Sequence, residues 1–341
     1  MSLDDVAAAL EARLPGRVSR DASVAELTTY RVGGPAAVLV RVGDEAALLA
    51  LASVVACSKP PVLLIGRGSN LLVAETGFHG VAVVLEDEFA MIDVDSDANL
   101  VRAGGAVPLP MLARRAAAAG VGGLEFFVGI PGSVGGAVRM NAGGHGRETA
   151  DVLRRAWVLD LLAGTDAIVE ARDGDALDLS YRHSNVDAMH VVVHAEFAGE
   201  SDDVAKCEER IAEIVRWRRE NQPGGSNAGS VFRNPPGDSA GRLIDEAGLK
   251  GLRVGGAVVS EKHANFFQAE PEATADDVGR LVDTVRARVA DATGVHLVTE
   301  LRMIGFEDPD LDPDPNLDPN ADVRNPDPDV GASRGEGEDT T

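Results

Sequence analysis

The stretch Gly122–Gly146, GGLEFFVGIPGSVGGAVRMNAGGHG, limits what this chain can fold into more than any other, because so many of its positions carry no Cβ. Gly129, Gly132, Gly135 and Gly136 allow positive φ and let backbone N–H groups come close to a ligand. N–H groups converging on one concavity bind anions, and the start of a helix has the same polarity. The segment has few side chains suited to acid–base work. It therefore reads as a backbone cradle for a pyrophosphate, formed by Gly129, Ile130, Pro131, Gly132, Ser133, Gly135 and Gly136. In isolation it also fits a glycine-rich loop between core strands.

A second candidate cradle, Gly66-Arg67-Gly68-Ser69-Asn70, follows the short apolar strand Val62-Leu63-Leu64-Ile65. It fails the Rossmann pattern, since Leu71 stands where the third glycine belongs. Gly77 and Gly80 break the next segment, so no crossover helix opens at this loop. A dinucleotide here requires a different fold.

The remaining pattern is that of an α/β or α+β protein with an aliphatic core, aromatics being only 4% of the residues. Val6, Leu10 and Leu14 share one face of an amino-terminal helix. The run Thr28–Val42, a helix over Ala46–Ala56 and the strand at Val62 make a β–α–β unit expected to be parallel. Strands are expected at Ala156–Leu162, Ala167–Ala171 and Val191–Phe197, and a domain boundary at Gly199–Asp203. Beyond it come helices Val204–Arg219 and Ala240–Ala247, one strand Val258–Phe267 around His263, and a last strand Val295–Ile304. Thr274–Ala292 is the most clearly periodic helix, with Val278, Leu281, Val282, Val285 and Val289 on one face. From Glu307 the chain is rich in Pro and Asp and poor in apolar residues, the composition of a disordered tail.

A formal net charge of −23 argues against a nucleic-acid or anionic-membrane partner, since both need a positive field. Cys57 and Cys207 match no metal-ligand or CxxC spacing. They read as reduced core thiols, no metal site is expected, and the absence of a basic, apolar leader points to the cytoplasm.

Six segments stand in a fixed order: TTYRVGGPA, GRGSNLLVAETGFHG, GLEFFVGIPGSVGGAVRMNAG, AGSVFRNP, GLKGLRVGGAVVSEKHANF and TELRMIG. Together, from about Thr28 to Gly305, they resemble the UDP-N-acetylenolpyruvoylglucosamine reductase (MurB) family. The short Asn234–Ala240 connection resembles its second subclass, which lacks a long loop bearing a substrate-covering tyrosine. The resemblance implies an α+β fold: a vanillyl-alcohol-oxidase-like (PCMH-type) FAD-binding domain over residues 1–200, with α/β subdomains of about 1–62 and 63–200. A substrate-binding α/β domain over 201–305 and an acidic tail over 306–341 complete it. The reaction implied is reduction of bound FAD by NADPH, then hydride transfer to the enolpyruvyl group of a UDP-sugar, giving UDP-N-acetylmuramate.

Hydride arriving at C3 of an enolpyruvyl ether builds negative charge at C2 and its carboxylate, so a cation and a proton donor are needed. The resemblance assigns the cation to Arg182, proton donation at C2 to Ser230 and a carboxylate-orienting role to Glu300. A free serine is a weak acid, so this role demands a very basic carbon and a water-poor pocket. The resemblance further places Asn234, Lys250, His263 and Arg302 near the UDP-sugar. FAD is expected to be non-covalent, because Gly66–Asn70 lacks the histidine to which related oxidases attach it. His145 stands where the family commonly has tyrosine, and the chain is expected to act as a monomer. Two rivals are a catalytically silent nucleotide-sugar or flavin binder and an oxidase of the same superfamily. Neither needs the combination of Arg182, Ser230 and Glu300.

Overall fold

The computed structural model describes residues 1–306; the tail expected from Glu307 onward lies outside the described residues. Alternating and continuous apolar runs in Pro35–Val42 and Phe78–Leu85 make these two strands the centre of a four-stranded sheet. Val62–Leu64 and Pro35–Val42 run parallel to Phe78–Leu85 on either side, and Val18–Ser23 adds an antiparallel edge. The expected β–α–β unit is thus present, with a third strand slotted between its two strands. Helices Leu3–Arg13 and Glu45–Ser58 bury Val6, Leu10, Leu48, Leu51 and Val55 against this sheet. Because the sheet runs through to Leu85, the subdomain division expected near residue 62 falls inside it. Cys57 is exposed, contrary to its reading as a core thiol, while Cys207 is buried.

A second, wholly antiparallel sheet orders its strands Val169–Asp173, Leu153–Asp160, His190–Ala198, Leu100–Gly104 and Ile92–Asp95. Helix Leu109–Ala118 and the 3-10 turn Glu125–Gly129 bury Leu112, Phe126 and Phe127 against it. Helix Val204–Asn221 joins the same core through Cys207 and Ile211. It is tied there by Arg210, whose Nη2 donates to Glu125 Oε1 and to Asp202 Oδ2, each at 2.6 Å. The division expected at Gly199–Asp203 therefore precedes a helix that packs on the earlier core.

The third unit is a small antiparallel sheet, Arg253–Val254, Ala257–Val259 and Phe267–Ala269, backed by helices Ala240–Glu246 and Ala275–Thr293. Val278, Leu281, Val282, Val285 and Val289 are all buried, as the periodicity requires. The single strand expected over Val258–Phe267 is instead two strands joined by a loop at residues 260–266, because buried Asn265 turns its amide to a neighbouring segment. Of the strand expected at Val295–Ile304, only Arg302–Ile304 is extended and paired. It lies parallel to Leu71–Val73, so the carboxy-terminal segment returns to the first glycine loop.

Candidate active site

A cavity of about 500 Å³ opens where the three units meet, within the range typical of small-molecule sites. One wall is Gly66-Arg67-Gly68-Ser69-Asn70 and the other is Gly129–Ser133 with Gly136. The walls touch at one end, where a Cβ added to Gly66 would stand 2.4 Å from Ser133 Oγ. Gly68 has φ +58°, and a Cβ there would lie 2.0 Å from the Leu27 carbonyl oxygen. Gly132 and Gly136 are different, since a Cβ on either would meet nothing closer than 3.5 Å. Their missing side chains leave room in the cavity rather than packing space. Bare backbone on two facing walls suits a long, flat anionic ligand, and the residues present fit FAD. Two expectations change in detail. Gly135 does not line the cavity, because its N–H donates to Gly105 O at 2.9 Å and the two segments pack there. The Gly136 N–H is taken by Ser133 Oγ at 3.3 Å and is not free for a ligand.

Arg182, Ser230 and Glu300 all line this cavity although 118 residues separate the first and last. Arg182 holds the left-handed conformation, φ 56°, in the turn closed by Ser180 and His183. Its Nε donates to Glu300 Oε1 at 2.6 Å, and both side chains are largely buried, 18% and 17% exposed. No hydrogen bond among the described residues occupies its two outer nitrogens, which leaves the fork available to an anion. Burial pushes the Glu300 carboxyl above the ordinary glutamate range, against the opposing pull of Arg182 and Arg233.

Glu300 is located by the first glycine loop. Asn70 Nδ2 donates to the Glu300 carbonyl at 3.0 Å, and the Arg302 N–H donates to the Asn70 carbonyl at 3.2 Å. The Glu300 N–H in turn donates to the carbonyl of Val231, next to Ser230, at 2.8 Å. Ser230 follows Gly229, which has φ +75°. Its hydroxyl makes no hydrogen bond among the described residues.

Of the other expected residues, Arg302 lines the cavity, whereas Asn234, Lys250 and His263 do not. Asn234 Oδ1 accepts from the Ala240 N–H at 3.1 Å, and Lys250 pairs with Asp245 at 2.6 Å. His263 Nδ1 accepts from the Asn265 N–H at 3.3 Å, and its ring packs on Phe266. Burial holds that imidazole below its ordinary pKa. His145 lies outside the cavity lining, with its ring edge-on to Trp217 and over Gly129.

Five polar residues in the lining were not singled out from the sequence: Thr29, Arg139, Arg218, Gln222 and Asn227. Arg218 Nε donates to Gln222 Oε1 at 2.8 Å, and burial holds its guanidinium below the ordinary arginine pKa. The available signal was an arginine one turn before the Gln222-Pro223-Gly224-Gly225 helix stop, which also describes many surface arginines.

Residues 221–304 match the family described as UDP-N-acetylenolpyruvoylglucosamine reductase, C-terminal domain, and residues 36–166 match an FAD binding domain family. A UDP-N-acetylenolpyruvoylglucosamine reductase of Acidiphilium cryptum (strain JF-5) is 44% identical over 292 residues, covering 85% of this chain and 92% of that protein. One of Caulobacter sp. (strain K31) is 44% identical over 301 residues, covering 85% and 95%. The crystal structure of the Thermus caldophilus reductase superposes with a TM-score of 0.72 at 36% identity, over 84% of this chain and 98% of that one. With both sides of the cavity matched and relatives aligned over nearly their whole length, the chain belongs to the UDP-N-acetylenolpyruvoylglucosamine reductase family.

Proposed function

We infer that the chain reduces UDP-N-acetylglucosamine enolpyruvate to UDP-N-acetylmuramate with NADPH as reductant, and that Arg182, Ser230 and Glu300 carry the step at the substrate. The observation supporting this most directly is the Arg182–Glu300 pair in one cavity with Ser230 and two glycine walls. FAD, held by Gly66–Asn70 and Gly129–Ser133, supplies two-electron hydride chemistry when bound. The free fork of Arg182 stabilises charge building at the substrate carboxylate and C2. Ser230 gives its hydroxyl proton to C2, completing addition of hydride and proton across the double bond. Glu300, its carboxyl pKa raised by burial, orients the same carboxylate and holds Arg182 in place.

Among the described residues the cavity lining contains no histidine or cysteine, which supports non-covalent FAD. Both cysteines are unpaired, which supports a reducing compartment, the cytoplasm. Among the described residues no helix is long and apolar enough to cross a membrane.

The deciding measurement is anaerobic. The purified yellow protein should bleach with NADPH and recover its flavin absorbance when UDP-N-acetylglucosamine enolpyruvate is added. Bleaching without recovery would refute the assignment.

A further inference from the structure

The Ser230 hydroxyl has no hydrogen-bonding partner among the described residues, so the backbone alone aims it. Two segments pin that backbone. On one side, the N–H groups of Glu300 and Leu301 converge on the Val231 carbonyl, and the Arg233 N–H donates to Val298 O. On the other side a single residue makes three bonds. The Val231 N–H donates to Asn265 O at 2.9 Å and the Phe232 N–H to Asn265 Oδ1 at 2.9 Å, while Asn265 Nδ2 donates to Phe232 O at 2.8 Å.

Asn265 is 2% exposed, and its amide carries the pairing one step past the isolated antiparallel bridge between Ser230 and Phe266, onto Phe232. Only a planar group with one acceptor and one donor at this spacing satisfies both Phe232 backbone groups at once. Its own N–H is fixed by His263 Nδ1, and Phe266 bridges to Ser230. The loop at residues 260–266, which replaces the single strand expected there, thus forms a jig for the serine.

We propose that Asn265 is a positioning residue for proton delivery: its side-chain amide, clamped on Phe232, sets where the Ser230 hydroxyl sits in the cavity. It touches neither cofactor nor substrate and acts through Ser230. The proposal rests on the reductase reading, in which Ser230 protonates C2. A purely packing role would lower stability but leave the rate per bound flavin unchanged.

The test is stopped-flow on FAD-loaded Asn265→Ala, Asn265→Asp, Ser230→Ala and the Ser230→Ala/Asn265→Ala pair, normalised to bound flavin. Asn265→Asp keeps the volume and the acceptor but loses the donor. For both Asn265 variants, bleaching by NADPH should stay within about twofold of the parent, while reoxidation by substrate slows about tenfold or more. The solvent deuterium isotope effect on reoxidation should rise as proton delivery becomes the slower event. The double variant should reoxidise no more slowly than Ser230→Ala alone, since the two act as one unit. Unchanged reoxidation, equal slowing of both half-reactions, additive slowing in the double variant, or loss of flavin from both Asn265 variants would each overturn the proposal. A parent enzyme that bleaches but is not reoxidised would instead remove the reductase reading itself.

Discussion

Arg182 is bulky and charged, yet it holds φ 56°, a conformation that costs a non-glycine residue about 1 kcal/mol or more. It persists because Glu300 grips its Nε from across the cavity and the Tyr181 ring lies beside its guanidinium. His194 shows the opposite kind of constraint. Its ring lies tilted against Trp157 with centroids 4.3 Å apart, its Nε2 is buried without a partner among the described residues, and burial, reinforced by Arg102, pushes its pKa down to about 4. The unfolded chain binds that proton at an ordinary histidine pKa and the folded one does not, so stability is lost as pH falls from about 6.5 towards 4. His194→Gln should therefore narrow the drop in Tm between neutral and mildly acidic buffer, read by thermal melts of the two proteins. An equal drop in both would show that His194 does not titrate with unfolding.

Among the elements, the two glycine loops carry different kinds of glycine, and substitution separates them. Gly68 is at positive φ against the Leu27 carbonyl, so Gly68→Ala should destabilise the protein by about 2–4 kcal/mol in urea unfolding. Gly132 lines the cavity and a Cβ there would make only ordinary van der Waals contacts, so Gly132→Val should keep the Tm of the apoprotein nearly unchanged while flavin content falls about tenfold. The helix Val204–Asn221 is held by Cys207 and Ile211 in the core and by one ion cluster. Arg210→Met would leave the buried Glu125 carboxylate with no cation beside it and should cost about 2 kcal/mol, less than for a fully buried pair because the Arg210 side chain is 40% exposed. The glycine loops were legible because backbone freedom is written directly in residue type. Helix Ala275–Thr293 was legible because five apolar residues repeat at helical spacing. The loop at residues 260–266 was not, because apolar content alone reads as strand and the amide of Asn265 finds its partner 33 residues away.

For the whole molecule, the strand Arg302–Ile304 closes the fold by crossing from the third unit to the first. Phe306 follows it and packs beside Gly279, where a Cβ would stand 2.6 Å from the ring. A glycine inside that helix costs roughly 1 kcal/mol relative to alanine, and here it makes room for the ring. A chain ending after Phe306 should keep parental activity and Tm, whereas one ending after Gly305 should lose about 1–2 kcal/mol and melt a few degrees lower. Equal melting of the two would show that the ring contributes nothing.

Residue order alone determined the two glycine-rich loops, the aliphatic α/β character, the strongest helices and the six segments that pointed to the family. These are properties of short stretches, set by φ freedom and by periodicity. Only the tertiary structure decided that Gly135 turns away from the cavity, that helix Val204–Asn221 belongs with the flavin side, and that Lys250 and His263 stay behind the wall. It also decided that Arg182, Ser230 and Glu300 meet. These placements depend on how segments tens to hundreds of residues apart pack together, and nothing in a local stretch specifies which distant segments will meet.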